Sequence, residues 1–159
     1  MDGKTNHLMA ALGQRSITHE ILEADRGSEL EINVIFTDNE GTLAALKLAG
    51  ELSCNLDARI TLRALQVVPL PFPLTRPPVS IPFTRQRLLE LARRGAQRGL
   101  EPAVHLYLCR DQQQVLSRVL KPRCLVIIGG KQRWWPTRES KLARMLQSKG
   151  HHVILAHEE

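Results

Sequence analysis

The residues best suited to chemistry gather late in the chain. Gly129 and Gly130 follow an apolar run, and Lys131, Arg133, Arg138, Lys141 and Arg144 then set five cations around Ser140. Glycines let backbone N–H groups come close to phosphate oxygens. A helix start adds N–H groups with no helical partner. Lysine binds phosphate as a point charge and arginine as a two-pronged fork. The same cations also fit a solvated helix face on which Arg138 and Lys141 pair with Glu139. Asp38, at the end of the first apolar run, has two readings as well: it contacts a ligand, or it caps the helix that follows.

Other reactive types lack a setting. In Cys109-Arg110-Asp111 a cation adjoins a thiol, which lowers a thiol pKa, yet a structural cysteine is the better reading. His151, His152 and His157 do not converge: on a strand, His151 and His157 share one face and His152 takes the other. No metal site is expected. Cys54, Cys109 and Cys124 are odd in number and form no CxxC pair, which argues against a disulfide framework or zinc. Neither GxSxG nor a P-loop occurs. With no catalytic acid, base or nucleophile to name, a binding or regulatory module is expected before an enzyme. Arg85, Arg87, Arg93, Arg94 and Arg98 line one segment, and the net charge is +6. Weak nucleic-acid binding would use these residues, but plain solubility explains the charge, so nucleic acid is not the expected partner. Trp134-Trp135-Pro136 reads as a lid, a partner-binding spot or local packing.

These residues need a scaffold. A chain of 159 residues with 43% hydrophobic and 4% aromatic content is expected to form one domain with a core of Leu, Val, Ile and Ala. Residues 1–29 read as an N-terminal arm, partly disordered, with a short helix around Ile17–Ala24, lying free or on a partner subunit. They lack the basic start and apolar stretch of a secretion signal. No apolar run approaches the ~20 residues of a membrane helix, so a cytoplasmic location is expected.

From residue 30 to 159, strands alternate with helices. Leu30–Thr37 is a strand with an unbroken apolar centre. Asp38–Gly41 is turn chemistry, and Thr42–Ser53 has helical spacing. Ala58–Val68 is the second strand. Pro69–Pro82 holds six prolines in fourteen residues and reads as a loop outside any helix. Phe83–Arg98 is an amphipathic helix stopped by Gly99. Ala103–Leu108 is a strand and Asp111–Leu120 a short helix. Cys124–Ile128 is a strand, Gly129–Pro136 a loop, and Thr137 caps a helix through Lys149. After Gly150, His152–His157 is the last strand. This alternation calls for right-handed βαβ units, an α/β doubly wound five-stranded parallel sheet. Ligands of such sheets sit beyond the C-terminal strand ends, where strand order reverses.

Three passages resemble the universal stress proteins. Phe36-Thr37-Asp38 leads into Asn39-Glu40-Gly41-Thr42-Leu43-Ala44-Ala45-Leu46, a strand ending in aspartate before an Ala/Leu-rich helix. Leu65-Gln66-Val67-Val68-Pro69 leaves a strand through valine into a variable loop. Cys124 to Ala156 reads as strand, glycine loop, helix and closing strand. The resemblance covers Glu31 to Ala156 and implies a Rossmann-like, adenine nucleotide alpha hydrolase-like fold with strand order 3-2-1-4-5. It also implies a stress-response role and a homodimer through Val153, Ile154, Leu155 and Ala156, with a further protein partner.

By the same resemblance, Asp38 and Val68 would face adenine and ribose, with Thr37 beside them as a further candidate, and ATP or AMP would be the ligand. The loop from Gly129 and Gly130 to Ser140 would stand at the phosphates, where the family has G-x2-G-x9-G-[S/T]; Lys131 and Arg133 are candidates there through their charge. Gly129 matches the first glycine, but Gln132 stands at the second and Glu139 at the third. The eleven residues from Gly129 to Ser140 are three fewer than the pattern requires. The resemblance therefore implies a regulatory or adaptor module with a degenerate nucleotide site. The alternative is a nucleotide binder or slow ATP hydrolase that uses the Arg/Lys cluster.

Overall fold

The computed structural model describes residues 30–96, 100–131 and 137–157. Their chain order is β1 (Glu31–Ile35), α1 (Asn39–Leu56), β2 (Arg59–Val67), α2 (Ile81–Gly95), β3 (Ala103–Cys109), α3 (Gln112–Val119), β4 (Leu125–Gly130), α4 (Arg138–Ser148) and β5 (His152–His157). All neighbouring strands run parallel, in the order β3-β2-β1-β4-β5. The chain thus builds outward from β1 to β3 and then returns to add β4 and β5. Strand order reverses between β1 and β4, and the crevice of such a sheet opens there.

Side chains alternate between two faces of the sheet. On one face Ile32, Val34, Ile60, Leu62, Ala64 and Ile127 pack with Ala45, Leu46, Ala49, Leu88, Leu91 and Ala92 of α1 and α2. On the other, Ile35, Tyr107, Val126 and Ile128 pack with Leu116, Val119, Ala143 and Leu146, from α3 and α4. Each fully buried aliphatic side chain contributes about 1.5–3 kcal/mol relative to exposure, so hydrocarbon burial contributes on both faces.

Several boundaries differ from the sequence reading for local reasons. α1 begins at Asn39, so the expected turn is its first helical turn. Asp38 is extended, and its carboxylate accepts the Gly41 N–H at 2.7 Å. α2 begins at Ile81 and takes Pro82 into its first turn, where a missing N–H costs no helical bond. It ends at Gly95 rather than Arg98. A Cβ at Gly95 would lie 2.6 Å from Leu46 Cβ, so this glycine lets α2 cross α1 closely. Gly129 and Gly130 are not loop residues: they end β4 and pair with Ala156 and His157 of β5. α4 runs as expected behind Thr137, and Gly150, at φ +91°, turns the chain into β5.

The expected arm at 1–29, Arg98, Gly99, Arg133 and Trp134-Trp135-Pro136 lie outside the described residues. No helix among the described residues is long and apolar enough to cross a membrane. No disulfide joins the cysteines.

Candidate functional site

Three predicted site residues meet where β1 and β4 end. Thr37 follows β1, and its hydroxyl donates to the Gly129 carbonyl at 2.8 Å while its N–H donates to Thr42 Oγ1 at 3.2 Å. Asp38 caps α1 through Gly41, so the capping reading of this carboxylate holds. Gly41 in turn lies against Gly129. A Cβ built on Gly129 would fall 1.6 Å from the Gly41 carbonyl oxygen, and one on Gly41 would fall 2.9 Å from Gly129 C and O. Gly129 therefore serves to let a helix and a strand touch backbone to backbone. That is a different use of a glycine from baring N–H groups to a phosphate.

The next residues close the neighbouring space. The Glu139 stem lies over Gly130, so a Cβ there would meet Glu139 Cγ at 3.1 Å. At the start of α4, Thr137 Oγ1 accepts the Ser140 N–H at 3.2 Å, and the Ser140 hydroxyl donates to the Thr137 carbonyl at 2.9 Å. A helix start capped in this way has already used one of its orphan N–H groups. Lys131 stands beyond β4 and pairs with Glu40 at 3.6 Å, with both side chains mostly in solvent. Such a pair contributes about 0–1 kcal/mol.

Between α3 and α4 the C-terminal end of β1 opens into a cleft of about 400 Å³. Thr37, Gln112, Gln113, Arg138, Glu139 and Lys141 form its polar wall, with Ile35, Leu65 and Met145 among the apolar lining. A second cleft, of about 290 Å³, lies across the sheet against α2, with Asn39, Gln66, Thr84 and Arg87 among its lining. Val68 lines neither. It is buried, with its N–H donating to the Cys109 carbonyl at 2.9 Å. Arg110 donates to the Val68 carbonyl at 2.6 Å and to the Phe72 carbonyl at 2.7 Å, clasping the start of the proline-rich loop. The guanidinium beside Cys109 in sequence is thus committed elsewhere. Burial, with Asp111 adding, pushes the Cys109 thiol up, and the residue is structural. Val153, Ile154, Leu155 and Ala156 lie on β5, an edge of the sheet.

One cluster escaped the sequence reading. Arg63 is 0% exposed at the middle of β2. Its Nε donates to Asn33 Oδ1 at 2.7 Å, Nη1 to the Tyr107 hydroxyl at 2.6 Å, and Nη2 to Glu31 Oε1 at 3.2 Å. Thr61 Oγ1 donates to the same Glu31 oxygen at 2.6 Å. Burial holds the Arg63 guanidinium below its ordinary value, with Tyr107 opposing. Burial also pushes the Tyr107 phenol up, with Arg63 opposing. Arginine stays charged in any protein setting, so this is a buried cation in a satisfied network. The signal was present: Glu31 and Asn33, and Thr61 and Arg63, recur at period two inside apolar strands and so must share a face.

Nearby, Cys124 Sγ lies 3.3 Å from His151 Nδ1. Burial pushes this thiol up to about 11, with Arg63 opposing, and burial together with Lys149 lowers the His151 pKa. A thiol held protonated is a poor nucleophile, so these shifts disfavour a thiolate at Cys124. Among the described residues no three His, Cys, Asp or Glu side chains are grouped to hold a metal.

No protein-family model matches the sequence, and no curated protein matches it. Solved structures do match in shape. A universal stress protein in complex with cAMP superposes with a TM-score of 0.53 at 15% identity, over 84% of this chain and 100% of that one. A universal stress protein family member from Burkholderia pseudomallei gives 0.57 at 20% identity, over 81% and 97%. A universal stress protein from Archaeoglobus fulgidus gives 0.52 at 11%, over 82% and 99%. Five parallel strands in the order 3-2-1-4-5 and helices on both faces give this chain the Rossmann-like fold of the universal stress proteins.

Proposed function

We propose that the chain is a regulatory or adaptor module of the universal stress protein type with a degenerate nucleotide site, acting as a homodimer and lacking standard ATP binding. The observation that carries this reading is the Glu139 side chain lying on Gly130 beside the capped start of α4. A phosphate at that helix start would need both the N–H groups and the space, and would meet a carboxylate. Like charges at close range disfavour binding, and Gly129 is already spent on its contact with Gly41. The dimer would form through Val153–Ala156. β5 is an edge strand, and pairing with a second copy would satisfy its outer hydrogen-bonding groups.

A second reading rests on the 400 Å³ cleft, where Arg138 and Lys141 share the wall with Gln112 and Gln113. Side-chain cations can hold a phosphate without glycines, and one structural neighbour was solved with cAMP. On this reading AMP or ATP binds through Arg138, Lys141 and Arg133.

Titration calorimetry with ATP and AMP separates the two. The degenerate-site reading expects no saturable heat at roughly millimolar nucleotide, a binding free energy weaker than about −4 kcal/mol. Saturable binding that is lost in Arg133→Ala or Arg138→Ala would overturn it in favour of the second.

A further inference from the structure

The two clefts differ in charge. In the 400 Å³ cleft Arg138 and Lys141 share the wall with Glu139. The 290 Å³ cleft has one cation, Arg87, and no carboxylate among the described residues of its lining. Its floor is hydrocarbon. Ala64 and Leu106 are register partners on β2 and β3, and Leu88 and Leu91 join them in the same core from α2. Val79 brings in the proline-rich loop, whose start Arg110 anchors through the Val68 and Phe72 carbonyls.

Polar groups are confined to one side of this cleft. Thr84 and Arg87 stand one turn apart on α2, with Thr84 half-buried and Arg87 exposed. The described residues give Arg87 no carboxylate partner. Its Cζ lies 5.8 Å from the Phe83 ring centroid, a cation–π contact that steadies the side chain without hydrogen-bonding its N–H fork. That fork matches a carboxylate in two-pronged fashion. One cation beside an apolar floor suits one negative charge, whereas a phosphate dianion would hold unpaired charge against hydrocarbon. At a water's share of ~30 Å³, 290 Å³ has room for about ten water-sized groups.

We propose that this cleft binds a small monocarboxylate with a hydrocarbon body. The carboxylate meets Arg87 and Thr84, and the hydrocarbon covers Ala64, Leu88 and Leu106. An apolar cavity with a few convergent polar groups is the usual form of a small-molecule site. The assignment stands apart from the nucleotide question, which concerns the other cleft. Because Phe36 and Leu65 line both clefts, the test relies on residues that line only one.

Octanoate is the probe, titrated into the full chain by calorimetry and followed by methyl NMR, beside octanol and AMP. Saturable octanoate binding is expected, with shifts at the Leu88, Leu91 and Leu106 methyls and none at Met145, which lines the 400 Å³ cleft. Arg87→Gln should weaken binding about fivefold or more, and octanol, which lacks the charge, should bind more weakly by a similar factor. Thr84→Phe should fill the cleft and abolish binding. Arg93→Gln, on α2 but outside the lining, should leave the affinity unchanged. Absence of saturation up to roughly 10 mM octanoate would overturn the proposal. So would equal losses in Arg87→Gln and Arg93→Gln, which mark diffuse attraction to a basic helix, or shifts confined to Met145. Displacement of octanoate by AMP with shifts at Leu88 and Leu106 would give the cleft to a nucleotide and refute the carboxylate.

Discussion

The two faces of the sheet are closed by different physics. Under α1 and α2, the strands contribute Ile32, Val34, Ile60, Leu62 and Ile127, and the layer is almost wholly aliphatic. On the face that also carries α3 and α4, the sheet places a fully buried arginine among Tyr107, Asn33, Glu31 and Thr61. Aliphatic packing is additive and tolerant, so one side chain can be exchanged for another of like volume. A buried polar network is conditional. It holds only while every partner is present, because each lost partner leaves a desolvated group behind. Residues 62 and 63, adjacent on one strand, are therefore governed by different rules.

The largest expected effect tests that contrast directly. Arg63→Met leaves Glu31, Asn33 and the Tyr107 hydroxyl without their cation and should cost about 3–5 kcal/mol in urea unfolding. Replacing Glu31 as well, as Arg63→Met with Glu31→Leu, should recover part of that loss, since a buried pair exchanged for hydrocarbon is often near neutral. A double variant no better than the single would show that the network does not act as a unit. On the other face, Leu62→Ala should cost about 2–5 kcal/mol, with no second substitution that recovers it.

Alkaline titration sharpens the same contrast. The Cys124 thiol titrates at about 11 in the fold, against an ordinary 9.0. The Tyr107 phenol is also raised, from 10.0. Well below pH 9 both groups are protonated in both states and stability does not depend on them. Above it the unfolded chain releases protons first, so stability falls as pH rises through about 11. The urea midpoint should decline over that window. Tyr107→Phe with Cys124→Ser should flatten the decline, whereas Leu62→Ala should leave its slope intact. A slope unchanged in the first variant would refute the assignment.

The smallest effect concerns the end of β1. Asp38→Ala removes the α1 cap and should lower stability by about 1 kcal/mol, as read by thermal or urea unfolding. Loss of the cap alone should leave nucleotide titrations of the wild type and the variant alike. A variant that changes the binding heat while keeping its stability would return Asp38 to the role of ligand contact.

The alternation of strands and helices and the parallel sheet were legible because the apolar runs and their breakers are local signals. The order 3-2-1-4-5 came through resemblance, carried by Asp38, the Val68 exit and the segment from Cys124 to Ala156. Asp38 was legible with two roles, and the structure shows the cap through Gly41. Gly129 was legible as a special glycine but not for its use, because its partner, Gly41, is distant in sequence. Pro82 misled because proline breaks a helix interior and favours a helix start, and composition alone does not say which applies. Arg63 was missed because a charged residue in a strand normally faces solvent. Its partners Asn33, Glu31 and Tyr107 come from β1 and β3, which sequence inspection does not bring together.

The contact of Gly41 with Gly129 bears on where this molecule can move. Side chains that meet at a layer boundary can change rotamer and let the layers slide, but main-chain atoms in direct touch have no rotamer to change. With Thr37 and Gly129 also bonded, the end of β1, the start of α1 and the end of β4 form one rigid block. Of the walls of the 400 Å³ cleft, the β1 end therefore belongs to that block, and α3 and α4 supply the walls outside it.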